Sequence, residues 1–233
     1  MTATSKQKRV DELIEQATGS ISRGAVFEAE RMANKALTLA HQVEDYARMA
    51  KAVGPLLEAR RGRRETALQC GEVTIIHEPV TENLKFGPGC YLIQPPQVGA
   101  DARRLRMAAL QSEVPALVVC REPLTQLKLW PVVAIGPGAT VRTKVEPPAD
   151  QDQPDMQWFL GAMEALGEEA IASIDVEVEV TRRLKLVLER LDTVPDHDGL
   201  HHLLEQTCQE AGCAKKAAAA KTASRAAKAK AKA

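Results

Sequence analysis

Four groups of side chains have the types and spacing to do chemistry. The first lies around two short apolar runs, Cys90 to Ile93 and Ala116 to Cys120. Gln94 follows the first run, Arg121 follows the second, and Asp101, Arg103 and Arg104 open the stretch between them. If the runs are parallel strands and residues 102–111 a helix, these residues gather at the carboxyl ends of the strands, where open sheets bind ligands. The helix N-terminus adds a dipole suited to an anion. The plainer reading is that Asp101 caps the helix and the arginines line its wet face. The second group is His197, His201 and Cys208. They fall within about 40° of one another on a helical wheel, and the two histidines have the i,i+4 spacing of zinc-binding helices. The residues between them are Asp-Gly-Leu, so the general base of H-E-x-x-H is missing, and Leu200, Leu204 and Ala211 on the same face suit a core stripe. No metal site is expected. The third group is Cys90, Cys120 and His77, from which a Cys–His nucleophile is conceivable. Cys120 closes an apolar run and suits burial better, and no G-x-S-x-G motif is present. The fourth is a set of seven cations at the C-terminus: Lys215, Lys216, Lys221, Arg225, Lys228, Lys230 and Lys232. On a flexible arm they would neutralise phosphates, and with no aromatic among them any binding would ignore sequence.

Spacing places these groups on elements. Residues 6–21, 25–42 and 44–68 repeat apolar positions at helical intervals. From Gly71 the pattern changes to short β-branched runs: 73–77, 90–93, 116–120, 132–135 and 140–145. Residues 91–120 read β-α-β, the size of a crossover unit with two parallel strands. Two G-P-G sequences, Gly87-Pro88-Gly89 and Gly136-Pro137-Gly138, suit type II turns with positive φ at the last glycine. Neither is a phosphate loop, and no cofactor is expected. Residues 149–155 form an acidic linker. Residues 156–174 read helical, 174–180 alternate with period two as a strand would, and helices are expected from 180 to 191 and from 200 to 211, with Gly212 as a C-terminal stop.

The stretch from Gly24 to Leu39 resembles the second half of a tetratricopeptide repeat. Gly24, Ala29, Ala36 and Leu37 match the family's turn glycine, small crossing residue and closing Ala-Leu. No proline follows Leu39, and about one and a half repeats fit, fewer than the roughly three that a free-standing solenoid needs. The resemblance implies a helical scaffold that docks peptides and carries no catalytic residues. The last segment, AKKAAAAKTASRAAKAKAKA, resembles the Lys/Ala-rich tails of linker histones. It lacks a large apolar residue to bury, which suits disorder.

The formal net charge is +0, from 31 basic and 31 acidic residues. The balance is a cancellation between segments: residues 149–213 carry net −11 and residues 214–233 carry net +7. No run reaches the roughly 18 apolar residues of a membrane helix, and five cysteines without C-x-x-C spacing suit reduced thiols in a cytoplasm. The expected fold class is α+β: a TPR-like helical bundle (1–70), a small mixed sheet with one βαβ unit (71–148), an acidic helical segment (149–213) and a disordered basic tail (214–233). The expected function is a non-enzymatic, cytoplasmic protein-interaction scaffold with a protein partner and no membrane partner. The alternatives are nonspecific nucleic-acid association through the tail, and a small-molecule binder or enzyme using the βα loop.

Overall fold

The computed structural model describes residues 3–81 and 84–230, with side chains described as far as Thr222. Three helices come first: α1 (Ala3–Ser22), α2 (Val26–Gln42) and α3 (Tyr46–Leu68). Both connections are tight because each helix ends in a doubly bonded left-handed turn. After α1, the Ala25 N–H donates to the Ser20 carbonyl and the Gly24 N–H to that of Ile21, both at 2.9 Å, with Gly24 at φ +74°. After α2 the same pair of bonds forms around Glu44 at φ +50°, a conformation that costs a side-chain-bearing residue about 1–2 kcal/mol. Asp45 then caps α3: its Oδ1 accepts from the Arg48 N–H at 3.1 Å. Small residues let the helices approach. Ala29, Ala33, Ala36 and Ala40 are all fully buried on α2.

The sheet holds five strands in the order in which they occur: β1 (Val73–Ile76), β2 (Gly89–Ile93), β3 (Ala116–Arg121), β4 (Trp130–Ile135) and β5 (Thr140–Val145). β1, β2 and β3 are parallel; β3–β4 and β4–β5 are antiparallel. The crossover from β2 to β3 carries α4 (Gly99–Gln111), so the expected β-α-β unit is present. Strand alternation sorts side chains between two apolar layers. Tyr91, Ile93, Cys120 and Val133 face α4, where Leu105 and Ala109 meet them. Cys90, Leu92, Leu117, Val119, Val132 and Val141 face the opposite way. There they join one continuous core with α1–α3 and with three further helices, α5 (Met156–Ala172), α6 (Val180–Thr193) and α7 (Asp198–Lys230). Because both faces are covered, β2 is buried along its whole length and reads as an unbroken apolar run. The fold is therefore mixed α+β.

Several local expectations need correction. The alternating stretch 174–180 forms no strand. Ser173 ends α5, Asp175 accepts from the Glu177 N–H at 2.9 Å, and Glu179 caps α6; these local bonds take the donors that a ladder would need. The G-P-G sequences are not type II turns. Positive-φ glycines among the described residues are Gly24 and Gly71, and Gly89 is already the first residue of β2. The Tyr91 hydroxyl organises the first of these turns instead, donating to the Gly87 carbonyl at 2.7 Å and accepting from its N–H at 3.1 Å. Val98, not Asp101, is the N-cap of α4. Asp101 sits one turn in, and its carboxylate accepts from the Val98 N–H at 2.9 Å. Gly212 does not stop α7, which runs on to Lys230. The helix continues through the alanine-rich segment as far as Lys230, in keeping with alanine's high helix propensity. Lys232 lies outside the described residues.

Candidate functional site

The βα-loop residues do come together, but mainly with one another. Gln94 Oε1 accepts two bonds from Arg121, from Nη2 at 2.7 Å and Nε at 3.1 Å. The same guanidinium lies 4.2 Å above the Trp130 ring, a stacked cation–π contact. Burial lowers the Arg121 pKa. Arg104 is held by Asp101 at 2.5 Å and by the Val80 carbonyl at 3.2 Å, and Arg103 is half-buried. The end of the sheet that would receive a ligand is instead tied by its own hydrogen bonds. Beside it, in the loops that follow β2 and β3, Val98, Leu124 and Leu127 expose 56%, 45% and 75% of their surface. That is the chemistry of a contact surface more than of a pocket.

The histidines belong to a different arrangement, which sequence reasoning missed. Where α2, α3 and the α6–α7 connection meet, charged side chains are buried together. Arg60 donates to Glu30 at 2.8 Å. Arg63, which exposes 3% of its side chain, reaches Asp196 at 2.5 Å and Glu30 at 3.4 Å. Burial pushes the Asp196 carboxyl up, but the charges of Arg63, Arg60 and Arg106 outweigh it and hold the group below its ordinary range. Arg61 and Arg64 extend the seam to Asp198 at 2.9 and 3.2 Å. Arg106 crosses from α4 and donates to the Thr193 carbonyl at 2.8 Å and the Ile135 carbonyl at 3.0 Å, tying sheet to helix.

His201 is fully buried within this seam, and its pKa is lowered to about 3 by burial and by the Arg60 charge. Its tautomer follows from its partners. Arg60 can only donate, so His201 Nε2, 3.2 Å away, accepts; Nδ1 therefore carries the proton and donates to the His197 carbonyl at 3.0 Å. His197 precedes α7 and contacts Glu164 at 3.1 Å. Its ring fills a slot left open by Gly167 and Gly199, where a Cβ would come within 2.0 and 2.8 Å of ring atoms. Cys208 is buried, and burial pushes its thiol up to about 12. Of the three residues weighed as metal ligands, the His201 ring is engaged by Arg60 and the His197 carbonyl, the His197 ring contacts Glu164, and Cys208 is buried; no group of three or more His, Cys, Asp or Glu side chains is placed to hold a metal among the described residues. The third group is also separated. Cys90 and Cys120 project to opposite faces of the sheet, and burial pushes both thiols up to about 12. A signal for the seam existed in the sequence, the run Arg60-Arg61-Gly62-Arg63-Arg64 on α3, but its acidic partners are scattered along the chain, at Glu30, Asp196 and Asp198.

The C-terminal cations start where α7 leaves the body. Lys215 turns back, donating to the Glu44 carbonyl at 3.0 Å and to its carboxylate at 3.1 Å, with its ammonium 5.5 Å from the Tyr46 ring centroid. A cleft of about 570 Å³ opens there between the α2–α3 turn, α6 and α7. From Cys213 to Thr222 every residue is exposed, including Lys216 and Lys221. Arg225, Lys228 and Lys230 continue α7. On α1 and α2 a groove of about 600 Å³, lined by Glu12, Glu15, Glu28 and Arg23 among others, is left uncovered.

No family model, curated protein or solved structure matches the chain. No helix among the described residues is long and apolar enough to cross a membrane.

Proposed function

We propose that the protein is a non-enzymatic, cytoplasmic interaction scaffold, in which a TPR-like helical face docks a protein partner and α7 adds an electrostatic arm. One observation carries this reading. α7 is anchored in the core at Leu200, Leu204, Cys208 and Ala211, then continues as a helix that is exposed from Cys213 to Thr222 and whose first lysine is fastened to the α2–α3 turn. The arm is thereby held at the C-terminal end of α2, while the groove on α1 and α2 lies toward the other end of that helix. The partner that suits it carries an acidic patch and docks at the same time on α1 and α2. Deleting residues 214–233 leaves a body of net −7 and should weaken partner capture steeply. Reversing Glu12 and Glu15 to lysine should change which partners are captured. If both variants capture the same partners as the full chain, the scaffold reading fails.

The arm also favours a second reading, nonspecific association with nucleic acid, because it holds cations and no acidic residue. With Lys215 engaged by Glu44, six cations remain, and a duplex-DNA salt series should give a log–log slope of about −5. Equal and negligible binding by the full chain and by the truncation ends that reading. The βα loop supports small-molecule binding less well, since the Gln94 acceptor and the Arg121 donors already satisfy one another.

A further inference from the structure

Cys70 and Cys90 are distant in sequence and meet at one corner of the fold. Cys70 lies in the exposed turn after α3, where its N–H donates to the Ala67 carbonyl at 3.4 Å and its thiol to the Glu72 carbonyl at 3.1 Å. Cys90 is fully buried in β2, and its thiol points to the same Ala67 carbonyl at 3.8 Å. Gly71, at φ +71°, turns the chain between Cys70 and β1, and β1 pairs Val73 with Cys90 in parallel register. The Ala67 carbonyl thus lies 3.4 Å from the Cys70 backbone nitrogen and 3.8 Å from the Cys90 sulfur, which brings the two cysteines to one spot on the fold. The other exposed cysteine, Cys213, stands on the outer part of α7, while Cys120 and Cys208 are buried.

We propose that Cys70 and Cys90 form a dithiol site whose substrate class is a low-molecular-weight disulfide, and that the site closes to an intramolecular Cys70–Cys90 bond. In the first step the exposed Cys70 thiolate attacks one sulfur of R–S–S–R, forming Cys70–S–S–R and releasing R–S⁻. In the second, Cys90 gives its proton to solvent, attacks the Cys70 sulfur and releases the second R–S⁻. The two cysteines are oxidised by two electrons, and the external disulfide is reduced to two thiols. The steps differ in rate for a physical reason. Burial, with a smaller contribution from Cys70, pushes the Cys90 thiol up to about 12, so its thiolate is scarce at neutral pH and the mixed disulfide on Cys70 accumulates first. Closure joins the end of α3 to the centre of the sheet and accelerates with pH.

The test uses the full chain and oxidised glutathione. Samples are quenched in acid, alkylated under denaturing conditions and mapped by peptide mass spectrometry. The expected map shows a Cys70–Cys90 cross-linked peptide, with Cys213 held as a mixed disulfide only. The closure rate should rise about tenfold per pH unit between pH 7 and 9. Cys70→Ser should remove the cross-link and leave Cys90 free. Cys90→Ala should leave glutathionyl-Cys70 as the end point. Should Cys90→Ala not fold, the map of the unaltered chain still decides. A map in which Cys70 carries glutathione at every pH while Cys90 stays free, or in which Cys70 couples to another cysteine, overturns the proposal.

Discussion

Replacing Asp196 with asparagine removes one negative charge from a seam where Arg60 and Arg63 are almost wholly buried. Arg63 keeps Glu30 at 3.4 Å but loses its closer partner at 2.5 Å. Water cannot take the place of the carboxylate, because Arg63 exposes only 3% of its side chain. Breaking a buried pair by removing one partner costs about 3–5 kcal/mol. Asparagine can still offer one carbonyl oxygen and Glu30 remains, so the lower end, about 3 kcal/mol, is expected. The assay is urea unfolding at pH 7, read as a shift in midpoint at constant slope. The internal control is Glu58→Gln, which breaks an exposed helix pair with Arg61 and should cost less than about 1 kcal/mol. The pH dependence follows from the direction of the shift. The Asp196 pKa is depressed in the folded state, so its contribution is present above the unfolded carboxyl value of 3.8 and is lost as pH falls through the folded value. The gap between the native chain and Asp196→Asn should therefore narrow in acid. An Asp196→Asn loss no larger than that of Glu58→Gln, or a gap that does not narrow, would falsify the account of the seam as a buried electrostatic lock.

Three further outcomes are expected. Gly167→Ala should destabilise by about 1–3 kcal/mol, because its Cβ would lie 2.0 Å from the His197 ring. Gly161→Ala on the same helix meets nothing within 4 Å and should stabilise by about 0.5–1 kcal/mol; thermal melts that rank the two the other way would refute the slot around His197. His201 should show no imidazole titration by NMR between pH 5 and 8. Its folded pKa of about 3 lies below the ordinary histidine value of 6.5, so the unfolded chain binds the proton first and this site removes stability as pH falls from 6.5 toward 3, at most about 1.4 kcal/mol per pH unit. A His201 resonance that titrates near 6.5 contradicts the burial described.

The sheet was legible because its strands are β-branched runs fenced by proline and glycine, and the β-α-β unit followed from its length. Helix positions were legible from periodicity, whereas their ends depended on chemistry that periodicity does not carry. Glu44 and Glu113 take left-handed conformations at helix ends where a sequence reader looks for glycine. The alternation at 174–180 has the period of a strand, yet Asp175 and Glu179 spend their carboxylates on local N–H groups. The ionic seam left only half a trace. The four clustered arginines Arg60, Arg61, Arg63 and Arg64 predict that partners exist, but which acids meet them depends on how α2 and α7 pack on α3. Gln94 and Arg121 were correctly placed at one end of the sheet; that they would satisfy each other depends on strand register, which no local pattern encodes.

The pairing of α3 with α7 has a consequence for synthesis. Met49, Val53 and Leu56 belong to the same buried core as Leu200, Leu204 and Cys208, so the cover for this helix is made well after the helix itself. Leu68 and Asp198 close and open the two helices, and at about 5–20 residues per second the interval between them is on the order of ten seconds. For that time a nascent three-helix hairpin carries an uncovered apolar stripe into the cell. Glu30 on α2 is already present to pair with Arg60 and Arg63, so Asp196 and Asp198 complete the seam rather than begin it.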